Sequence, residues 1–104
     1  MGRVKPLVLK DRIFAKQGDA QAFFSEMLHR YIPGEEVSEP DAQWLAPLFE
    51  RHPDYSAKSA GGILRFEVMA AEYGSQCFCV VRLDGTLDGF SYKSCIAQKI
   101  RQLP

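Results

Sequence analysis

Three cysteines and two histidines hold most of the reactive potential of this 104-residue chain. Cys77 and Cys79 stand two apart in Gln-Cys-Phe-Cys-Val-Val, so they share one face if the stretch is extended. Thiolate metal sites ordinarily show Cys-x-x-Cys with a second pair of ligands. Here the spacing is Cys-x-Cys inside an apolar run, with no His-x-x-x-His, and buried inert thiols are the favoured reading. Cys95 and His52 would make a nucleophile and its base, but only residue type supports the pairing. His52 and Asp54, in His-Pro-Asp-Tyr-Ser, offer an acid–base pair, although a histidine before proline more often serves a turn or a helix end. Gly61-Gly62 precedes a β-rich run and not a helix, so it does not read as a phosphate loop. These patterns lead to the expectation of no catalytic residue, no metal and no cofactor.

Stacking on a nucleic acid is a different chemistry. Tyr55, Tyr92 and Trp44 are aromatic, and Lys58, Arg65, Arg82 and Lys93 stand near some of them. Aromatics beside cations can hold single-stranded RNA. The plainer alternative buries each ring in part and leaves its polar tip in water. The candidate binding surface is therefore Lys58, Arg65, Arg82, Tyr92, Lys93 and His52. Thirteen Lys/Arg balance thirteen Asp/Glu, so the total charge does not indicate strong nonspecific attraction to a polyanion. Residues 1–34 carry six bases against three acids, residues 35–54 six acids against one base, and residues 55–104 six bases against four acids. A basic surface opposite an acidic segment would fit, but runs of solvated charge are the plainer meaning.

The elements that would position these residues centre on 76–96. Cys77 to Leu83 is rich in β-formers and apolar on both faces, as an interior strand is. Asp84-Gly85 supplies a turn. A two-residue turn would set Cys79 opposite Phe90, and a three-residue turn with a bulge at Gly85 would set Phe78 there; the sequence leaves both open. Gly89 inside the second strand marks a bulge or a close backbone approach. After Tyr92 the spacing of Cys95, Ile96, Lys99, Ile100 and Leu103 becomes helical, with Ser91 or Ser94 as N-cap.

Upstream, Leu7-Val8-Leu9 begins a first strand ending near Ile13-Phe14. Asp19 is a good N-cap for a helix whose apolar stripe is Ala20, Phe23, Phe24, Met27, Leu28 and Tyr31. Pro33-Gly34 ends it. Ser38, Pro40 and Asp41 open a second helix running to about Glu50, with Leu45, Leu48 and Phe49 inward and Trp44 at the edge of the core or exposed. A loop from His52 to Gly62 follows, longer than usual. Ile63 to Met69 alternates as a strand with Leu64, Phe66 and Val68 on the buried side. The order is β-α-α-β-β-β-α in a single domain over 1–104. It predicts an α+β fold: an antiparallel three-strand meander plus an N-terminal edge strand, with helices packed on one face. Apolar content of 46% is ample for a core. No apolar run reads as a leader or a membrane span, and the cysteine count is odd, so a cytoplasmic protein with reduced thiols is expected.

Several segments taken together resemble a known family. They are Phe23-Phe24 with Met27-Leu28 and Tyr31, Pro33-Gly34-Glu35, His52-Pro53, Lys58, Gly61-Gly62-Ile63 and Phe66-Glu67-Val68. The most specific run is Cys77 to Thr86 continuing to Phe90-Ser91-Tyr92-Lys93-Ser94-Cys95-Ile96. The chain is similar over nearly its whole length to the bacterial stand-alone form of the DeCL domain, the "defective chloroplasts and leaves" type. It departs from the family pattern at Gly89, where the family has an acid directly before Phe-Ser; Asp88 stands one position earlier. The resemblance implies a domain of unknown function with plant relatives linked to plastid ribosomal-RNA maturation and to the tails of plant-specific RNA polymerases. It implies no catalytic residue. By analogy, the expected role is a small binding module working with RNA or a ribonucleoprotein. The alternatives are a protein–protein interaction module without RNA contact and a small enzyme using the His52/Asp54 loop.

Overall fold

A computed structural model describes residues 7–9, 12–14 and 17–97. Two short strands, β1 (Leu7–Leu9) and β2 (Arg12–Phe14), pair antiparallel with Val8 opposite Ile13. They form a sheet of their own, so the expected N-terminal edge strand does not join the main sheet. Pairing two neighbouring apolar runs closes a much shorter loop than reaching a distant sheet edge would.

Helix α1 (Gln17–Leu28) starts two residues before the expected cap and holds Asp19 in its first turn, where the helix dipole favours an acid. Ala20, Phe24, Met27 and Leu28 are buried, while Phe23 and Tyr31 pack at the margin of the core. Helix α2 (Glu39–Phe49) has Ser38 as its N-cap, accepting from the Asp41 backbone N–H, and Pro40 in the first turn. Leu45, Leu48 and Phe49 are buried as expected, and Trp44 sits edge-on to Phe23 at 5.3 Å. A polar cluster ties the two helices. Arg30 Nη2 donates to both Asp41 carboxylate oxygens at 3.0 Å. The Tyr31 hydroxyl donates to Asp41 Oδ2 at 2.6 Å and accepts from the Ser38 N–H at 3.0 Å.

The main sheet runs β3 (Ile63–Ala70), β4 (Gln76–Arg82), β5 (Leu87–Phe90), an antiparallel meander with β4 central. The hairpin adopts the second of the two registers left open by the sequence: Phe78 faces Phe90, and Arg82 and Thr86 close a loop with Gly85 at φ +88°. Only glycine takes that conformation without strain. Asp84 supports the turn by accepting from both the N–H and the hydroxyl of Thr86. The β3–β4 register slips between Ile63 and Arg65. This bulge breaks the alternation expected of β3: Phe66 and Val68 are buried, but Leu64 is 53% exposed. A left-handed Tyr73 (φ 60°) in the 3-10 turn Glu72–Gly74 joins β3 to β4.

One face of the sheet meets α1, α2 and the short C-terminal helix α4 (Tyr92–Ala97). Ser91 is the N-cap of α4, accepting from Ser94 N–H at 3.3 Å. Cys95 and Ile96 are buried as the helical spacing predicts, and Lys99, Ile100 and Leu103 lie outside the described residues. At the centre, Phe49 packs on Phe90 with ring centroids 4.7 Å apart, on Tyr55 at 5.2 Å and on Phe66 at 6.0 Å. Each such pair adds to plain area burial. Both margins of the sheet carry hydrogen bonds from outside it. Residues 34–37 pair with β3 through Gly34 N–H to Val68 O, Val68 N–H to Glu35 O and Val37 N–H to Phe66 O. On β5, Lys58 Nζ donates to Gly89 O at 3.0 Å.

Candidate functional site

The connection from α2 to β3, expected as a plain loop, contains one helical turn, α3 (Tyr55–Lys58). Tyr55 anchors it by packing on Phe49, and the His52 carbonyl accepts from Tyr55 N–H. The turn delivers Lys58 to the margin of β5. Lys58 Nζ donates to Asp88 Oδ1 at 2.7 Å as well as to Gly89 O. Arg82, at the end of β4, donates through Nη1 to Asp88 Oδ2 at 3.2 Å and to Lys58 O at 2.9 Å, and through Nε to Thr86 Oγ1 at 2.8 Å. The register places Val80 opposite Asp88, so Asp88 leans toward the helix side, where α3 lies. Hydrogen bonding from Lys58 and then Arg82 holds the Asp88 carboxyl below the usual carboxylate range.

His52 borders this cluster. Its Nδ1 accepts from Asp54 N–H at 2.9 Å, which puts the proton of the neutral ring on Nε2. The ring stands edge-on to Phe90 at 6.4 Å. Burial, and then the Lys58 charge, hold His52 below its ordinary pKa.

The structure thus brings together three of the six predicted binding residues: His52, Lys58 and Arg82. Arg65 is not with them. It projects from the opposite face of the sheet, where its Nε donates to Glu67 Oε2 at 2.7 Å. Tyr92 is half-buried, edge-on to Phe78 at 6.2 Å, and Lys93 is exposed on α4.

The residues proposed for nucleophilic chemistry are not assembled. Asp54 meets His52 through its backbone and not its carboxylate. Cys95 is fully buried, and burial pushes its thiol up to about 12; Cys79 is likewise pushed up to about 11. Such thiols stay protonated and unreactive at neutral pH. Among the described residues no three His, Cys, Asp or Glu side chains gather as a metal site requires.

Three features escaped the sequence reading. Asp88 is the hub of the cluster, though its sequence position signals only a departure from a pattern. Arg51 spans the core margin to donate to Cys95 O at 2.9 Å and Ile96 O at 3.1 Å, satisfying carbonyls of α4 from another element. No local signal marks that role. Leu64, Leu83 and Leu87 are more than half exposed, at 53%, 61% and 53%. Charge is also divided unevenly: residues 17–97 carry six Lys/Arg against twelve Asp/Glu, and the balancing bases lie in residues 1–16 and 98–104.

The fold and this cluster define a small α+β module with a polar clamp at one margin of its main sheet. Residues 25–96 match the family described as "Protein of unknown function (DUF3223)". The chain belongs to that family, the DeCL-type domain, as the residues from Cys77 to Ile96 indicate. It is similar to the solution NMR structure of an uncharacterised protein from Rhodospirillum rubrum, with a TM-score of 0.82 and 43% identity over 91% of each chain. It is 35% identical over 71 residues to DNA-directed RNA polymerase IV subunit 1 of Arabidopsis thaliana, covering 67% of this chain and 5% of that protein. It is 32% identical over 78 residues to Protein EMBRYO DEFECTIVE 514 of Arabidopsis thaliana, covering 73% of this chain and 39% of that one. The chain therefore spans well under half of either plant protein. Among the described residues no helix is long and apolar enough to cross a membrane.

Proposed function

We propose that this protein is a small non-catalytic binding module that works within RNA machinery in a cytoplasmic setting. The observation that carries the reading is the kinship of its fold-bearing segment with part of an RNA polymerase subunit. In direct contact with RNA, the surface would be His52, Lys58 and Arg82 with Tyr92 and Lys93 nearby in the chain, while Arg65 would act only through the far face of the sheet. The test is titration of mixed-sequence single-stranded RNA at low and moderate salt. Direct contact requires affinity that falls steeply with salt and weakens in Arg82→Ala and Lys93→Ala. Salt-independent or undetectable binding ends the direct version.

A second reading, contact with a protein of the same machinery, draws support from charge and exposure. Arg30, Lys58, Arg65 and Arg82 all sit in ion pairs, and acids outnumber bases two to one in residues 17–97. The exposed Leu64, Leu83 and Leu87 add apolar surface of the kind that partners cover. Recovery of one protein partner after nuclease treatment favours this reading. Loss of every partner on nuclease treatment counts against it.

A further inference from the structure

We propose that Lys58, Arg82 and His52 form a binding site for a phosphate group, with the Asp88 carboxylate holding its place in the free protein. Two cations, Lys58 and Arg82, converge on one anion, Asp88, at 2.7 and 3.2 Å. Asp88 is thus shared by two cations, and the next anion, Asp84, reaches Arg82 only through the Thr86 hydroxyl. The other two ion pairs among the described residues, Arg30–Asp41 and Arg65–Glu67, are matched one to one.

Donors are in surplus. Lys58 uses two of its three N–H groups, on Asp88 and Gly89 O. Arg82 uses Nε and Nη1, and its Nη2 meets no acceptor among the described residues. His52 has its Nδ1 taken by Asp54 N–H, which leaves Nε2–H as a donor. Its ring packs on Phe90, the residue after the glycine whose carbonyl holds Lys58. A guanidinium fork, an ammonium and an imidazole N–H are the set that recognises a tetrahedral oxyanion. The Lys58 and Arg82 side chains are each 18% exposed and Asp88 33%, so a ligand reaches the cluster without unfolding it. Thr86 and the Lys58 carbonyl hold the Arg82 fork in place, so little ordering is needed on binding. Either a nucleic-acid backbone or a free phosphorylated small molecule would supply the group. The inference rests on the RNA reading only for the first of these sources.

The experiment is an NMR titration of isotope-labelled protein with inorganic phosphate, matched against chloride at equal ionic strength. The expected result is saturable, phosphate-specific shifts at His52, Lys58, Arg82 and Asp88. Asp88→Asn, which keeps the shape but removes the competing charge, should bind phosphate about fivefold more tightly. A following titration with single-stranded RNA identifies the source. Shifts at the same amides assign the site to a nucleic-acid backbone, and silence there assigns it to a free phosphorylated ligand. Phosphate shifts no larger than those from chloride overturn the site even if RNA moves other amides, in which case the RNA reading stands without it. Unchanged phosphate affinity in a folded Asp88→Asn protein overturns the placeholder role of Asp88.

Discussion

Two ion-pair clusters fasten loops to the body of this protein, and they are composed differently. At the joint between α1 and α2, Arg30 and Asp41 match one cation to one anion in a two-pronged contact, and Tyr31 completes it. At the margin of β5, Lys58 and Arg82 share Asp88, and backbone carbonyls make up the remainder. The first cluster is matched in charge and serves the geometry of a helix start. The second shares one carboxylate between two cations. An anion held between two cations is one that a second anion can replace, and only the β5 cluster has that arrangement.

The largest expected effect is at the charge-matched cluster. Asp41→Ala removes the acceptor for Arg30 and Tyr31 together and should lower unfolding free energy by about 2 kcal/mol in urea melts. Asp88→Asn should cost less, about 1 kcal/mol, because the partners it leaves keep the carbonyls of Gly89 and Lys58 and part of the surrounding water. Equal costs would mean that the two clusters do not differ in how firmly they hold the fold. Acid sharpens that difference further. The Asp88 pKa is depressed in the folded state, so its contribution is complete above the ordinary carboxylate value of about 4 and disappears as pH falls through the folded value. The gap between wild type and Asp88→Asn should therefore close as pH falls below about 4. His52 adds a smaller slope. Its folded pKa is also lowered, so stability should decline as pH drops below about 6.5, where the unfolded chain takes up the proton first. His52→Gln should flatten that decline in thermal melts across the same range. Smallest of all, Lys93→Ala should leave the melting temperature unchanged within error.

The parts of the fold legible in sequence were those written in local pattern. The stripe from Ala20 to Leu28, the Ser38 cap and the two-faced burial of β4 all follow from spacing and residue type. The hairpin register did not, because Asp84-Gly85 suits loops of two lengths, and the choice of Phe78 opposite Phe90 is made by pairing across the sheet. Leu64 was misplaced because a bulge is a property of two strands and not of one. For the same reason only half of the candidate site could be read. His52, Lys58 and Arg82 stand out as residue types, but the meeting of Lys58 with Asp88, 30 residues on, is made by a turn that no periodicity announces. Arg65 shared their chemistry and lies on the other face. Of the two meanings of a glycine inside a strand, bulge or close approach, Gly89 has the second: a Cβ there would meet Met69 Sδ at 3.1 Å and Cys77 Sγ at 3.2 Å.

The hydrogen bonds at the two flanks of the sheet have a consequence for where such a domain can live. An open strand offers its backbone to any passing strand, and in a long or concentrated polypeptide that is the beginning of aggregation. Here residues 34–37 occupy one flank, and the Lys58 ammonium sits on the other, against Gly89 O. A charged group stationed on a four-residue strand makes a poor template for extension. A module finished in this way can be joined to a much larger chain, or kept at high concentration by itself, without neighbouring sheets fusing into one.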